Sequence, residues 1–116
     1  MSLGKTGEAI AKRYLESLGY ETVAENYRYN RAETDIIVKH EEKKVLVFAE
    51  VKTRRSKTFG EPQESVTVKK QEQMTRSAEG FLMTHTEFAE YEKRFDVIAI
   101  MIENGKEKID HIENAF

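Results

Sequence analysis

The stretch Val45-Leu46-Val47-Phe48-Ala49-Glu50-Val51-Lys52 decides how this chain is read. Its apolar run, Val45 to Ala49, predicts a strand covered on both faces, since a half-exposed strand would alternate with polar residues. A carboxylate at position 50 and an ammonium at position 52 break that run. Side chains two residues apart on a strand point the same way, about 7 Å apart, so Glu50 and Lys52 share one face. A lone Glu-x-Lys is ordinarily a solvated ion pair of little consequence. On a strand buried on both sides it marks a site.

A second apolar stretch, Asp35-Ile36-Ile37-Val38, also begins with an acid, and the polar segment from His40 to Lys43 predicts a hairpin joining the two. If the tight turn is Glu42-Lys43, Asp35 lies directly opposite Glu50. If it is Glu41-Glu42, Asp35 lies opposite Phe48 and diagonal to Glu50. Both registers put the two acids on one face. Facing like charges destabilise a ladder, and a carboxylate in apolar surroundings needs neutralising. A divalent cation would do that, and hard carboxylate ligands of this kind suit Mg²⁺ or Mn²⁺ rather than zinc.

The rest of the chain supplies a setting for this site. Ile10, Ala11, Tyr14, Leu15 and Leu18 recur at helical spacing and predict a helix over 5–19, stopped at Gly19. Glu8 lies at the edge of its apolar stripe, able to reach the rim of whatever the helix covers. Strands are expected over 21–29, 34–39 and 44–52. A loop, Thr53 to Glu64, holds Arg54, Arg55, Lys57, Gly60 and Pro62, and Ser65 or Thr67 would cap the following helix. That helix should reach about Thr84, with Met74, Ala78, Phe81 and His85 along one stripe. A short helical piece over 86–92 precedes a buried strand from Phe95 to Ile102, and Asn104-Gly105 predicts a tight hairpin to a last strand over Lys106 to Ile112. The order is αβββαβ with a terminal β.

Composition narrows the classes. At 116 residues, 39% hydrophobic and 34% charged, without repeats or low-complexity tracts, the chain is expected to form one globular domain. With no cysteine there is no disulfide, thiolate nucleophile or cysteine zinc site, which fits a reducing compartment such as the cytoplasm. No apolar run nears the roughly 20 residues of a membrane span, and the first residues lack an apolar signal core. A net charge of −2 argues against coating nucleic acid by bulk charge but permits a local basic patch. Arg54, Arg55 and Lys57, leaving the strand that carries Glu50, form such a patch together with Lys69 and Lys70, placed to meet phosphates. Otherwise they are a solvated loop. The three histidines, His40, His85 and His111, have no ligand-like spacing, Gly4-Lys5-Thr6-Gly7 lacks the strand and spacing of a P-loop, and Arg94 with Asp96 reads as a simple ion pair.

Hydrolysis of a phosphodiester needs an activated water, in-line attack and stabilisation of charge on the phosphoryl and leaving oxygens. Asp35 and Glu50 would hold the metal, with Glu8 joining directly or through water. Lys52 would orient or help deprotonate the nucleophile, or stabilise the developing charge. A lysine beside two acids keeps its proton, which favours the electrostatic role.

Gly7-Glu8, Ala11, Tyr14-Leu15, Gly19-Tyr20, Asn26-Tyr27-Arg28, Glu33-Thr34-Asp35, Phe48-Ala49-Glu50-Val51-Lys52-Thr53-Arg54, Phe59-Gly60-Glu61-Pro62, Val66, Lys70, Arg94-Phe95-Asp96-Val97-Ile98 and Asn114-Ala115-Phe116 together resemble the YraN family (UPF0102), a widespread bacterial group. The resemblance spans nearly the whole chain. It implies an α/β fold of the restriction-endonuclease-like PD-(D/E)xK type, similar to Holliday junction resolvases, with a mixed central sheet flanked by helices. It also implies a metal-dependent nuclease site at Glu8, Asp35, Glu50 and Lys52. The chain departs from the family pattern in having Ala32-Glu33-Thr34-Asp35 where Gly-Glu-Ile-Asp is usual. Both acids are kept.

The expectation is therefore a Mg²⁺- or Mn²⁺-dependent endonuclease acting on DNA, on branched or repair intermediates, for which a homodimer would suit action on two strands. The alternatives are a non-catalytic nucleic-acid-binding or scaffold module on the same fold, and a protein-interaction domain that binds neither DNA nor metal.

Overall fold

Serine at position 2 starts the first element: its Oγ accepts a hydrogen bond from the Lys5 backbone at 3.2 Å and caps a helix, α1 (Leu3–Ser17). The helix begins and ends two residues before the sequence predicts. Leu18 is already its C-cap and stands 47% exposed, off the apolar stripe it was expected to complete. The structure, a computed structural model, describes residues 2–55 and 66–116. After α1 come β1 (Glu21–Tyr29), β2 (Ala32–His40), β3 (Val45–Arg54), α2 (Val68–Thr84), a single 3₁₀ turn (Thr86–Phe88), β4 (Glu92–Glu103) and β5 (Lys106–Ile112). Lys57, Gly60 and Pro62, expected in the loop after β3, and Ser65, one of the two expected helix caps, lie outside the described residues. Thr67 caps α2, its hydroxyl accepting from the Lys70 backbone at 3.2 Å.

The five strands form one mixed sheet in chain order, antiparallel throughout except where β4 runs parallel to β3 after the α2 crossover. The β2–β3 register settles the hairpin: His40 pairs with Val45 and Ile36 with Ala49, where the ladder ends, and beyond it the Asp35 side chain accepts from the Val51 N–H. The turn centred on Glu42-Lys43 is the one adopted. Thr53 and Arg54 belong to β3 rather than to the loop, because β4 continues beside them, opposite Ile100 and Met101. The helical piece expected over 86–92 shrinks to the 3₁₀ turn, and β4 begins at Glu92 rather than Phe95. At the far end Asn104 and Gly105 both adopt positive φ, 51° and 72°, the conformation of a type I′ hairpin.

Alternation along the central strands builds a core on each face of the sheet. Ile36, Val38, Val47, Ala49, Ile98 and Ile100 pack with Ile10, Ala11 and Leu15 of α1. Ile37, Leu46 and Phe48 pack with Ala78 and Phe81 of α2. This sandwich explains the unbroken apolar run in β3, which has a helix against each side. The polar residue at position 34 is also accounted for. Thr34 is fully buried, and its hydroxyl bonds that of Ser77 on α2, which itself donates to the Met74 carbonyl at 3.0 Å. Ala32 pairs with Tyr29 in regular strand geometry, while Asn30 takes the positive φ, 56°, in the turn before it.

Candidate functional site

Phe48 packs in the α2-side core, so by alternation Glu50, Lys52 and Arg54 also face α2. β2 departs from strict alternation between Thr34, which meets α2, and Ile37, and Asp35 in that stretch lies near enough to Glu50 and Lys70 to feel both charges. The two acids meet here. Glu50 is buried, with 5% of its surface exposed, and its Oε2 has no hydrogen-bond partner among the described residues. Its Oε1 lies 3.1 Å from Lys70 Nζ, at the start of α2, and 3.8 Å from Lys52 Nζ. Asp35 accepts a hydrogen bond from the Val51 backbone N–H at 2.8 Å. Burial, and then the charge of Glu50, push the Asp35 carboxyl up to about 7, with a smaller contribution from Glu8 opposing the help of the Val51 N–H and Lys70. A site that raises one carboxylate this far and leaves the other with a bare oxygen is short of positive charge.

Glu8 arrives from the opposite layer. The approach of α1 to β3 depends on Gly7, where a Cβ would stand 1.7 Å from Thr53 Oγ1, so only glycine lets the helix lie this close. Glu8 is near enough for its charge to act on Asp35, yet its own carboxylate is bound to Lys5 at 3.3 Å. Among the described residues no three acid or histidine side chains are arranged as a ready metal cage. What the residues fit is a divalent cation held by the Asp35 and Glu50 pair: two hard oxygen donors, one of them with an orphaned oxygen, each relieved of repulsion by positive charge.

Of the nucleic-acid candidates, Arg54 ends β3 and Arg55 follows it, exposed; Lys69 is exposed on the first turn of α2 beside Lys70. The structure thus brings Glu50, Lys52 and Lys70 into contact and Asp35 close beside them, while leaving Glu8 at the rim. Sequence reading assigned Lys70 to phosphate contacts and missed that it holds Glu50. The available signal was its position: a lysine in the first turn of a helix is unfavourably placed against the helix dipole, which calls for a nearby anion.

The carboxyl of Asp35 also makes stability depend on pH. Its folded value, about 7, lies above its ordinary 3.8, so its contribution is fully present below the ordinary value and is lost as pH rises through 7. Asp35→Asn keeps an acceptor for the Val51 N–H without the charge. The variant's advantage over the wild type is expected to be larger at pH 8 than at pH 5 by on the order of 2 kcal/mol. Denaturant unfolding in EDTA at both pH values reads this directly, and a gap that does not grow with pH would contradict it.

A second charged cluster lies on the α1 side. Asp96 is fully buried and accepts from Arg94 Nε and Nη2, both at 2.9 Å, from His111 Nε2 at 2.7 Å and from the Asn114 N–H at 3.2 Å. Arg94 also reaches the Tyr20 hydroxyl at 2.7 Å, and His111 Nδ1 meets the Tyr14 hydroxyl at 2.9 Å. The expected simple ion pair is the centre of a network tying α1, β4, β5 and the C-terminal residues together.

Fold and site define a mixed α/β protein with a five-stranded mixed sheet, two helices, and an acid pair with two lysines where β3 meets α2. The model of the uncharacterised protein family UPF0102 matches residues 7–100, and the chain belongs to that family. It is 44% identical to a UPF0102 protein of Natranaerobius thermophilus over 117 residues, covering 99% of this chain and 97% of that one. A UPF0102 protein of Desulforamulus reducens is 41% identical over 98% of this chain and 94% of its own length. One from Caldicellulosiruptor bescii is 44% identical over 98% and 96% respectively. No helix among the described residues is long and apolar enough to cross a membrane.

Proposed function

We propose that this chain is a divalent-cation-dependent endonuclease of the PD-(D/E)xK type that hydrolyses DNA phosphodiester bonds. The observation that carries the reading is the Glu50 carboxylate, buried on a central strand beside Asp35, with one oxygen unpartnered. Evolution tolerates so costly an arrangement where charge is put to use. On this reading Asp35 and Glu50 hold Mg²⁺ or Mn²⁺, which supplies the activated water and the Lewis acidity. Lys52, on the same face as Glu50, stabilises charge on the phosphoryl group. Arg54, Arg55, Lys69 and Lys70 border the site with positive charge suited to phosphates, and a branched or repair intermediate in the cytoplasm is the substrate class that the resemblance to junction resolvases favours.

The test is incubation of the purified protein with labelled duplex, single-stranded and four-way junction DNA in Mg²⁺ or Mn²⁺, with EDTA as control. Metal-dependent cleavage of at least one substrate is expected. Absence of cleavage from all three would overturn the catalytic reading. One observation favours a second reading, a non-catalytic DNA-binding module: Lys70 on Glu50 and Lys5 on Glu8 already neutralise acids without a metal. That module would bind DNA in EDTA, weaken steeply with salt and lose binding on substitution of Arg54 and Arg55, without cutting.

A further inference from the structure

We infer that the Lys70 ammonium occupies the position on Glu50 that a divalent cation needs, so that Lys70 sets the metal affinity of the site and is released toward substrate when the cation binds. This rests on the reading of Asp35 and Glu50 as cation ligands, and it concerns a residue outside the Glu-x-Lys strand. Four observations carry it. Lys70 Nζ is 3.1 Å from Glu50 Oε1, closer than Lys52 Nζ at 3.8 Å, so the lysine of α2 rather than that of β3 is the principal partner. Lys70 is also near enough to Asp35 for its charge to act there, and therefore serves both acids as a cation would. Its side chain is only 29% exposed against 6% for Glu50, so the pair is shielded from solvent and salt. Its backbone is held in the first turn by the Thr67 cap, at the positive end of the α2 dipole, where an ammonium gains nothing from its own helix. Glu50 is what keeps it there.

A single ammonium satisfies one oxygen of one carboxylate and leaves Glu50 Oε2 bare and Asp35 still perturbed. A divalent cation carries twice the charge and can bind both acids. The two compete for Glu50, and the loser of that competition is a long, flexible side chain rooted at the edge of the site. Freed from Glu50, Lys70 remains within one side-chain length of it and of exposed Lys69, where a phosphate oxygen would be its next partner. Without DNA the lysine then holds the site closed to metal; phosphate, by drawing Lys70 away, raises metal affinity.

Isothermal titration of Mn²⁺ into the full chain tests this. Lys70→Met, which keeps the aliphatic stem without the charge, is expected to bind Mn²⁺ at least tenfold more tightly than the wild type, and Lys70→Arg to stay within about threefold of it. Lys93→Met, removing an ammonium that bonds the Ala89 carbonyl instead, controls for net charge and is expected to stay within twofold. Equal affinities for the wild type and Lys70→Met overturn the inference while leaving the metal reading intact. Equal tightening by Lys93→Met overturns it as well. Failure of the wild type, Lys70→Met and a second variant, Lys70→Gln, to bind Mn²⁺ at millimolar concentration overturns both the inference and the metal site.

Discussion

Glu50→Gln is expected to leave a folded protein whose metal-dependent cleavage of DNA falls by two to three orders of magnitude, the size of loss found when a principal charge-stabilising group is removed from a reacting centre. Glutamine has the same shape, so the packing of β3 between α1 and α2 is preserved. What disappears is the anion that binds Lys70 at 3.1 Å and Lys52 at 3.8 Å and that, with Asp35, would hold the cation. Two effects on stability oppose each other. The pairing with Lys70 is lost, while Asp35 is released from the repulsion that helps to raise its carboxyl to about 7. The net change is expected to stay within about 1 kcal/mol, since relief of a like-charge contact offsets loss of an ion pair. Cleavage rates and unfolding midpoints measured on the same preparation separate the possibilities. Wild-type rates would remove Glu50 from the chemistry, and unfolding without loss of specific activity would make it a structural group.

Asp96→Ala is expected to do the reverse, costing about 3–5 kcal/mol of stability while leaving the site on the other face of the sheet chemically untouched. The carboxylate is fully buried and receives four hydrogen bonds. Burial disfavours its ionisation, but the bonds from His111 and Arg94, the Arg94 charge and the Asn114 N–H more than offset this and hold its carboxyl below its ordinary 3.8. Removing it strands the Arg94 guanidinium, only 12% exposed, without its principal counter-ion. Asp96→Asn, which keeps two polar atoms, should cost less. A carboxyl depressed in this way contributes stability above its ordinary value and loses it as pH falls through its folded value. The cost of Asp96→Ala should therefore be constant from pH 8 down to 5 as far as this group is concerned, and shrink only in acid. Urea titrations at pH 7 and pH 3 check both the size and the direction; a loss under 1 kcal/mol at pH 7 would mean that the network is not holding the C-terminal residues in place.

These two carboxylates differ in how visible they are along the chain. Glu50 announces itself because five apolar residues precede it, and strand alternation then ties it to Lys52 without knowledge of any long-range contact, whereas the approach of Asp35 depends on where β2 breaks its alternation. Asp96 precedes an apolar run as well, but its partners lie at positions 94, 111 and 114, with Tyr20 behind Arg94 and Tyr14 behind His111. Only Arg94 is near in sequence. A histidine on an edge strand, a tyrosine on the first helix and another just beyond it give no local sign that they join one network around this acid. The same limit applies to Lys70, whose pairing with Glu50 depends on how the α2 crossover returns across the sheet to let β4 lie parallel to β3.

Periodicity and turn chemistry are short-range properties, and they determined the order of elements, the two-faced burial of β3, the type I′ turn at Asn104-Gly105 and the face shared by Glu50 and Lys52. The tertiary structure alone decided between the two hairpin registers, carried β3 on through Thr53 and Arg54 by supplying β4 as their partner, and paired Lys70 with Glu50. It also left Glu8 at the rim, paired with Lys5. The physical reason is the same in each case: strand pairing and charge pairing between distant segments are settled by which surfaces pack together, and a lysine's partner is whichever buried anion the fold brings within reach.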